Sequence, residues 1–93
     1  MEIKSLRVLS DASNYAVLFA PGRQFPGSVV QGDSLSILLG NAETILSKVK
    51  HSPDEELVGC AEELVMLLKA RLEHYEQVLK QYDLKLPYNK PSD

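Results

Sequence analysis

The chain holds a single cysteine, Cys60, and two histidines, His51 and His74, among its 93 residues. One thiol cannot form an internal disulfide, and thiolate zinc sites draw on several cysteines and histidines together. The histidines do not stand at metal-ligand spacing, and His74 falls about 20 Å along a helix from Cys60, too far for a nucleophile–base pair. A long apolar run is also missing: nothing approaches the roughly 20 residues needed to cross a bilayer. No basic, apolar and small-residue succession opens the chain, so no signal peptide is expected and the expected compartment is cytoplasmic. Positive charge is scarce. Ten Lys and Arg stand against thirteen Asp and Glu, a net charge of −3, which argues against sequence-independent binding of nucleic acid. No cofactor or metal is expected. Glycines are few, and neither Gly22–Arg23 nor Gly32–Asp33–Ser34 fits a phosphate loop or a dinucleotide fingerprint.

What remains is the composition of an ordinary globular domain, 44% apolar and 25% charged, with room for one core. Strands are expected at about residues 2–9, 15–20 and 28–31. Leu6 and Val8 alternate with Arg7 in the first. Residues 15–20 are apolar on both faces, which suits a strand covered on both sides. The polar cluster 10–14 reads as the hairpin turn between them. Two Pro-Gly pairs, Pro21–Gly22 and Pro26–Gly27, each predict a tight turn, because proline presets φ and glycine accepts positive φ.

Two helices are expected to follow. Asp33 is the candidate N-cap of the first, about 34–50, whose Leu35, Leu38, Leu39, Ala42, Ile45, Leu46 and Val49 recur at helical spacing. Ser52–Pro53–Asp54–Glu55 has the form of a capping box with proline at the first helical position, so the second helix is expected over about 53–83. Val58, Ala61, Val65, Leu68, Leu72, Tyr75, Leu79 and Tyr82 form a seam spaced by three and four along it, and Leu57, Leu64, Leu67 and Val78 widen the apolar face. Residues 85–93 read as a loosely ordered tail, docked through Leu86 or Tyr88 or else frayed. The fold class is therefore α+β, a two- or three-stranded antiparallel sheet followed by an antiparallel two-helix hairpin with a long second helix.

At 1.5 Å per residue the helices span about 25 and 45 Å. A two-residue link would let the first cover the second only to about Leu68, leaving Leu72, Tyr75, Leu79 and Tyr82 for the sheet or for another chain to bury. Cys60, with acids around it, reads as a buried structural thiol. Arg23, Gln24 and Phe25, held between two turns, form a second candidate contact surface; the plainer reading makes Phe25 a core plug and pairs Arg23 with a carboxylate such as Asp33.

The run Pro21-Gly22-Arg23-x-Phe25-Pro26-Gly27, followed by Gln31-Gly32-Asp33-Ser34-Leu35, resembles the signature of a family of short, uncharacterised bacterial proteins, over about Leu9 to Leu39. The resemblance implies a strand-rich start before a helical hairpin and supplies no catalytic residues. Small acidic proteins of this kind are also similar in size and charge to the immunity proteins that accompany bacterial toxins, an analogy that carries no mechanism. The expected function is a non-catalytic protein-binding module, an immunity-type inhibitor being one form of it. The partner is another protein or a second copy of the chain. The alternatives are a structural homodimer formed through the second helix, with a four-helix interface, and a small-molecule sensor.

Overall fold

In the computed structural model, which describes residues 2–12 and 15–90, the α+β class holds. A three-stranded antiparallel sheet is followed by two helices, the second the longer. The chain divides into a sheet unit, Met1–Gln31, and a helical unit, Gly32–Asp93.

The sheet is smaller than the extended sequence suggests. Strand β1 is Arg7–Ser10, β2 is Val17–Phe19 and β3 is Gly27–Ser28, in the order β1-β2-β3. Most of the outer parts of 2–9 and 15–20 stays outside the ladder, although Val29 N still donates to Ala16 O at 2.9 Å. Pairing runs Arg7↔Phe19 and Val8↔Leu18, then Ser10↔Val17. Leu9 is thus an extra residue, a bulge that turns the edge strand. Strand β2 is central, and Val17, Leu18 and Phe19 are half-buried on both of its faces. The Arg7 guanidinium lies 4.9 Å from the Phe19 ring centroid across the ladder, a cation–π pair worth about 0.5–1 kcal/mol at such an exposed site.

The two Pro-Gly pairs behave differently. The Arg23 amide donates to the Ala20 carbonyl at 3.2 Å and Gly22 has φ +76°, which makes Ala20–Arg23 a type II turn. Gly27 instead opens β3 opposite Leu18, so Pro26–Gly27 leads into a strand. The polar turn expected at 10–14 lies partly outside the described residues, at Ser13 and Asn14.

Helix α1 is Gly32–Val49 and α2 is Glu55–Gln81. Asp33 is in the first turn of α1 rather than its N-cap, its Oδ1 accepting from the Ser34 amide at 2.8 Å. The second helix begins later than a capping box on Ser52 would place it. Ser52 Oγ accepts from the Asp54 amide at 3.1 Å, and Asp54, extended at φ −81° and ψ 95°, caps α2 by accepting from Leu57 N. A carboxylate at the positive helix end outcompetes a hydroxyl two residues earlier.

The other end of α2 closes by a Schellman arrangement. Leu84 N donates to Leu79 O at 2.8 Å and Asp83 N to Lys80 O at 3.2 Å, with Asp83 left-handed at φ 56°. That conformation strains any residue with a Cβ. Asp83→Gly is expected to stabilise the helical unit by about 1 kcal/mol, raising its melting temperature by about 4–8 °C. Calorimetry of the two proteins at equal concentration checks this, and an unchanged or lower melting temperature contradicts it.

The core lies in the helical unit. Among the described residues five apolar side chains are buried, Leu35, Leu39, Ala42, Ala61 and Leu72. Leu35, Leu39 and Leu72 cluster, with Val65, Leu68, Tyr75 and Tyr88 packed on them. The first residue of α1 and Tyr75, late in α2, approach each other closely: a Cβ on Gly32 would collide with the Tyr75 ring. The helices therefore run antiparallel.

Candidate functional site

On α1 the inward positions are Leu35, Leu39, Ala42, Leu46 and Val49; on α2 they are Val58, Ala61, Val65, Leu68, Leu72, Tyr75 and Leu79. Both runs alternate by three and four, so each helix carries one neighbouring row on either side of the seam. In an antiparallel pair like rows of the two helices face the same side.

One flank is polar and partly covered by the segment after α2. Ser36 and Glu43 of α1 and Lys69 and Glu76 of α2 line a groove of about 560 Å³ together with Tyr88 of the tail. The tail is fastened there. Tyr88 donates its hydroxyl to Glu76 Oε2 at 2.8 Å, and Lys90 Nζ donates to Glu76 Oε1 at 3.2 Å. Burial of its ring, then the hydrogen bond and charge of Glu76, hold the Tyr88 phenol above the ordinary tyrosine range. The neutral phenol is thus the form the fold favours. Its contribution is complete below the ordinary tyrosine pKa near 10 and fades as pH rises beyond it. Tyr88→Phe is expected to weaken tail docking by about 1 kcal/mol at neutral pH. Tryptic cleavage after Lys85 should then speed up about fivefold, while an unchanged rate would show the ring alone holds the tail.

The other flank is apolar and open. Leu38 and Ile45 of α1 and Leu57, Leu64 and Leu67 of α2 are between 43% (Leu57) and 52% (Leu67) exposed. Cys60 is exposed among them, contrary to the buried thiol expected. Leu57, Cys60, Leu64 and Leu67 repeat the 3-4 spacing of the inner seam, a second seam along the same helix. That repeat was legible in the sequence, where these leucines only seemed to broaden one apolar face. On the outer side of α1 hydroxyls are spent locally: Thr44 Oγ1 donates to Gly40 O at 3.0 Å and Ser47 Oγ to Thr44 O at 2.7 Å.

The residues singled out from sequence fall into three groups. Leu72 is buried and Tyr75 half-buried in the core packing, with Leu79 half-buried beyond them. Tyr82, at the C-cap of α2, is 40% exposed. In the sheet unit Arg23, Gln24 and Phe25 are all exposed, Phe25 at 72%, so it plugs no core. Arg23 and Phe25 share the wall of a shallow recess of about 330 Å³ with Leu18 and Val29; Gln24 is not part of it.

Leu72 and Tyr75 lie deeper than a two-residue link would put them. The link is five residues, 50–54, and the added length lets α1 reach Tyr75 instead of stopping near Leu68. The tail covers the same stretch from the polar side through Tyr88.

No helix among the described residues is long and apolar enough to cross a membrane, and no cluster of three metal-ligating side chains occurs among them. These features define a small α+β protein with a half-exposed apolar row along one flank of its helical hairpin. The chain belongs to a family of unknown function, DUF6959, whose model matches residues 1–88. No curated protein and no solved structure matches it.

Proposed function

We propose that the protein is a non-catalytic protein-binding module and that its contact surface is the open flank of the helical hairpin. The observation that carries this reading is the flank's composition. Leu38, Ile45, Leu57, Leu64 and Leu67 are all near half exposed, and the nearest charges on α2, Glu56 and Glu63, stand at the outer edge of their row. Solvated helix faces ordinarily carry Lys and Glu, and contiguous apolar surface at helical spacing is how helices dock on one another. An inhibitor seated on a target enzyme is one form such a module takes. The net charge of −3 would favour a basic target on encounter.

The test is site-specific photo-crosslinking in the native cell. A photoreactive residue replacing Leu67 should give a discrete protein adduct, and the same residue replacing Glu73, which lines the polar groove, should not. No adduct at position 67, or equal adducts at both, would count against the flank.

A further inference from the structure

We infer that the occupant of the open flank is a second copy of this chain, paired about a twofold axis so that two hairpins close into a four-helix bundle. This rests on the binding reading above and names its partner.

Size is the first argument. The 18 residues of α1 make the flank about 27 Å long at 1.5 Å per residue. Two helices about 10 Å across, with axes 8–10 Å apart, make it about 20 Å wide. That footprint, on the order of 500 Å² before side-chain relief is added, approaches the roughly 800 Å² per partner of a stable interface. The need is also present: five buried side chains among the described residues are a slight core, and helical hairpins can complete theirs by pairing.

The second argument is that the flank is compatible with itself. A twofold interface sets a patch against its own image, so a charged centre would repel. Here the centre is Leu38, Ile45, Leu57, Cys60, Leu64 and Leu67. The charges bracket it, and they are arranged for antiparallel self-pairing. On α2 the apolar run of Leu57, Cys60, Leu64 and Leu67 is preceded by Asp54 and Glu56 and followed by Arg71, while Lys69 belongs to the polar groove on the other flank. Two α2 helices crossing antiparallel at the middle of that run bring Arg71 of each copy beside Asp54 and Glu56 of the other. A parallel crossing would set acid on acid. The antiparallel hairpin puts Ile45 level with the middle of the run, so Ile45 meets its own image on the axis. Glu63 stands at the solvent edge near the axis, where repulsion from its image is screened at physiological salt.

Sedimentation equilibrium of the full chain from 1 to several hundred micromolar tests the pairing. A two-chain mass is expected. Leu64→Lys should give a one-chain mass with helical circular dichroism retained. Arg71→Glu should raise the dissociation constant about tenfold, and adding Glu56→Arg should restore most of the loss. A one-chain mass for the natural protein, or a two-chain mass indifferent to both Leu64→Lys and Arg71→Glu, overturns the dimer and leaves the flank open to a different protein. Should Leu64→Lys unfold, the melting of the natural protein decides. A melting temperature that climbs with concentration supports a dimer coupled to folding. One that does not makes Leu64 a core residue of the single chain and overturns the flank reading too.

Discussion

Leu72→Ala is expected to destabilise the helical unit by about 2–5 kcal/mol, the range for removing a buried leucine and leaving a cavity. Leu72 is 8% exposed and joins Leu35 and Leu39 from α1 with Tyr88 from the tail. It is therefore the residue at which both helices and the C-terminal segment meet. A unit this small has only a few kcal/mol in reserve at about 0.05–0.15 kcal/mol per residue, so the variant should be substantially unfolded at 37 °C. Tyr82→Ala, at an exposed position of the same helix, should change stability by less than about 0.5 kcal/mol. Urea unfolding followed at the helical band, at one protein concentration, compares them. Equal effects at the two positions would mean that α1 does not reach as far as Leu72.

The second large effect is expected from adding one methyl group. Gly32 is buried at the start of α1, and its α-carbon lies against the Tyr75 ring so closely that a Cβ has no room. Its backbone is not in the left-handed region, so glycine is needed here for proximity rather than for conformation. Gly32→Ala should cost about 1–3 kcal/mol by overpacking, although alanine is the better helix former. Tyr75→Leu shortens the obstructing side chain, so in the Tyr75→Leu background the same alanine should cost close to nothing. A double-mutant cycle measures that coupling, and additive effects of the two substitutions would show that the ring does not press on Gly32.

Much of the fold could be read directly from residue order. The three-and-four spacing of Val58 through Leu79 defines α2 because a single helix face must meet a single neighbour, and the same holds for Leu35 through Val49 on α1. The strands were legible as apolar runs, but their ends were not, since a residue such as Ile3 or Ala20 becomes strand only if a partner lies opposite. Helix ends were blurred by competition between adjacent caps: Ser52 and Asp54 both have the chemistry, and the carboxylate wins. Asp83 gave no hint of a C-cap because the signal usually read there is glycine.

The candidate surface was partly legible for a related reason. Leu57, Leu64 and Leu67 were visible as apolar, but how far α1 reaches along α2 depends on the length of the link at 50–54. A shorter link left Leu72 and Tyr75 without a neighbour on paper. The closeness of Gly32 and Tyr75 could not be foreseen at all, being a contact between residues far apart in sequence. Gly32 sits in the run that resembled a family signature, and its physical role there is to let the hydroxyl end of the Tyr75 ring approach the backbone.

The bond from Tyr88 to Glu76 has a meaning beyond local stability. A helical hairpin has two flanks, and a chain that left both uncovered could add copies on either side and grow into an open filament. Tyr88 lies over one flank, so under the pairing proposed above a single side is left for association. Association through that side would use it up on both partners, so growth would end at a pair. In that arrangement the Tyr88–Glu76 contact acts as a stopper against polymerisation.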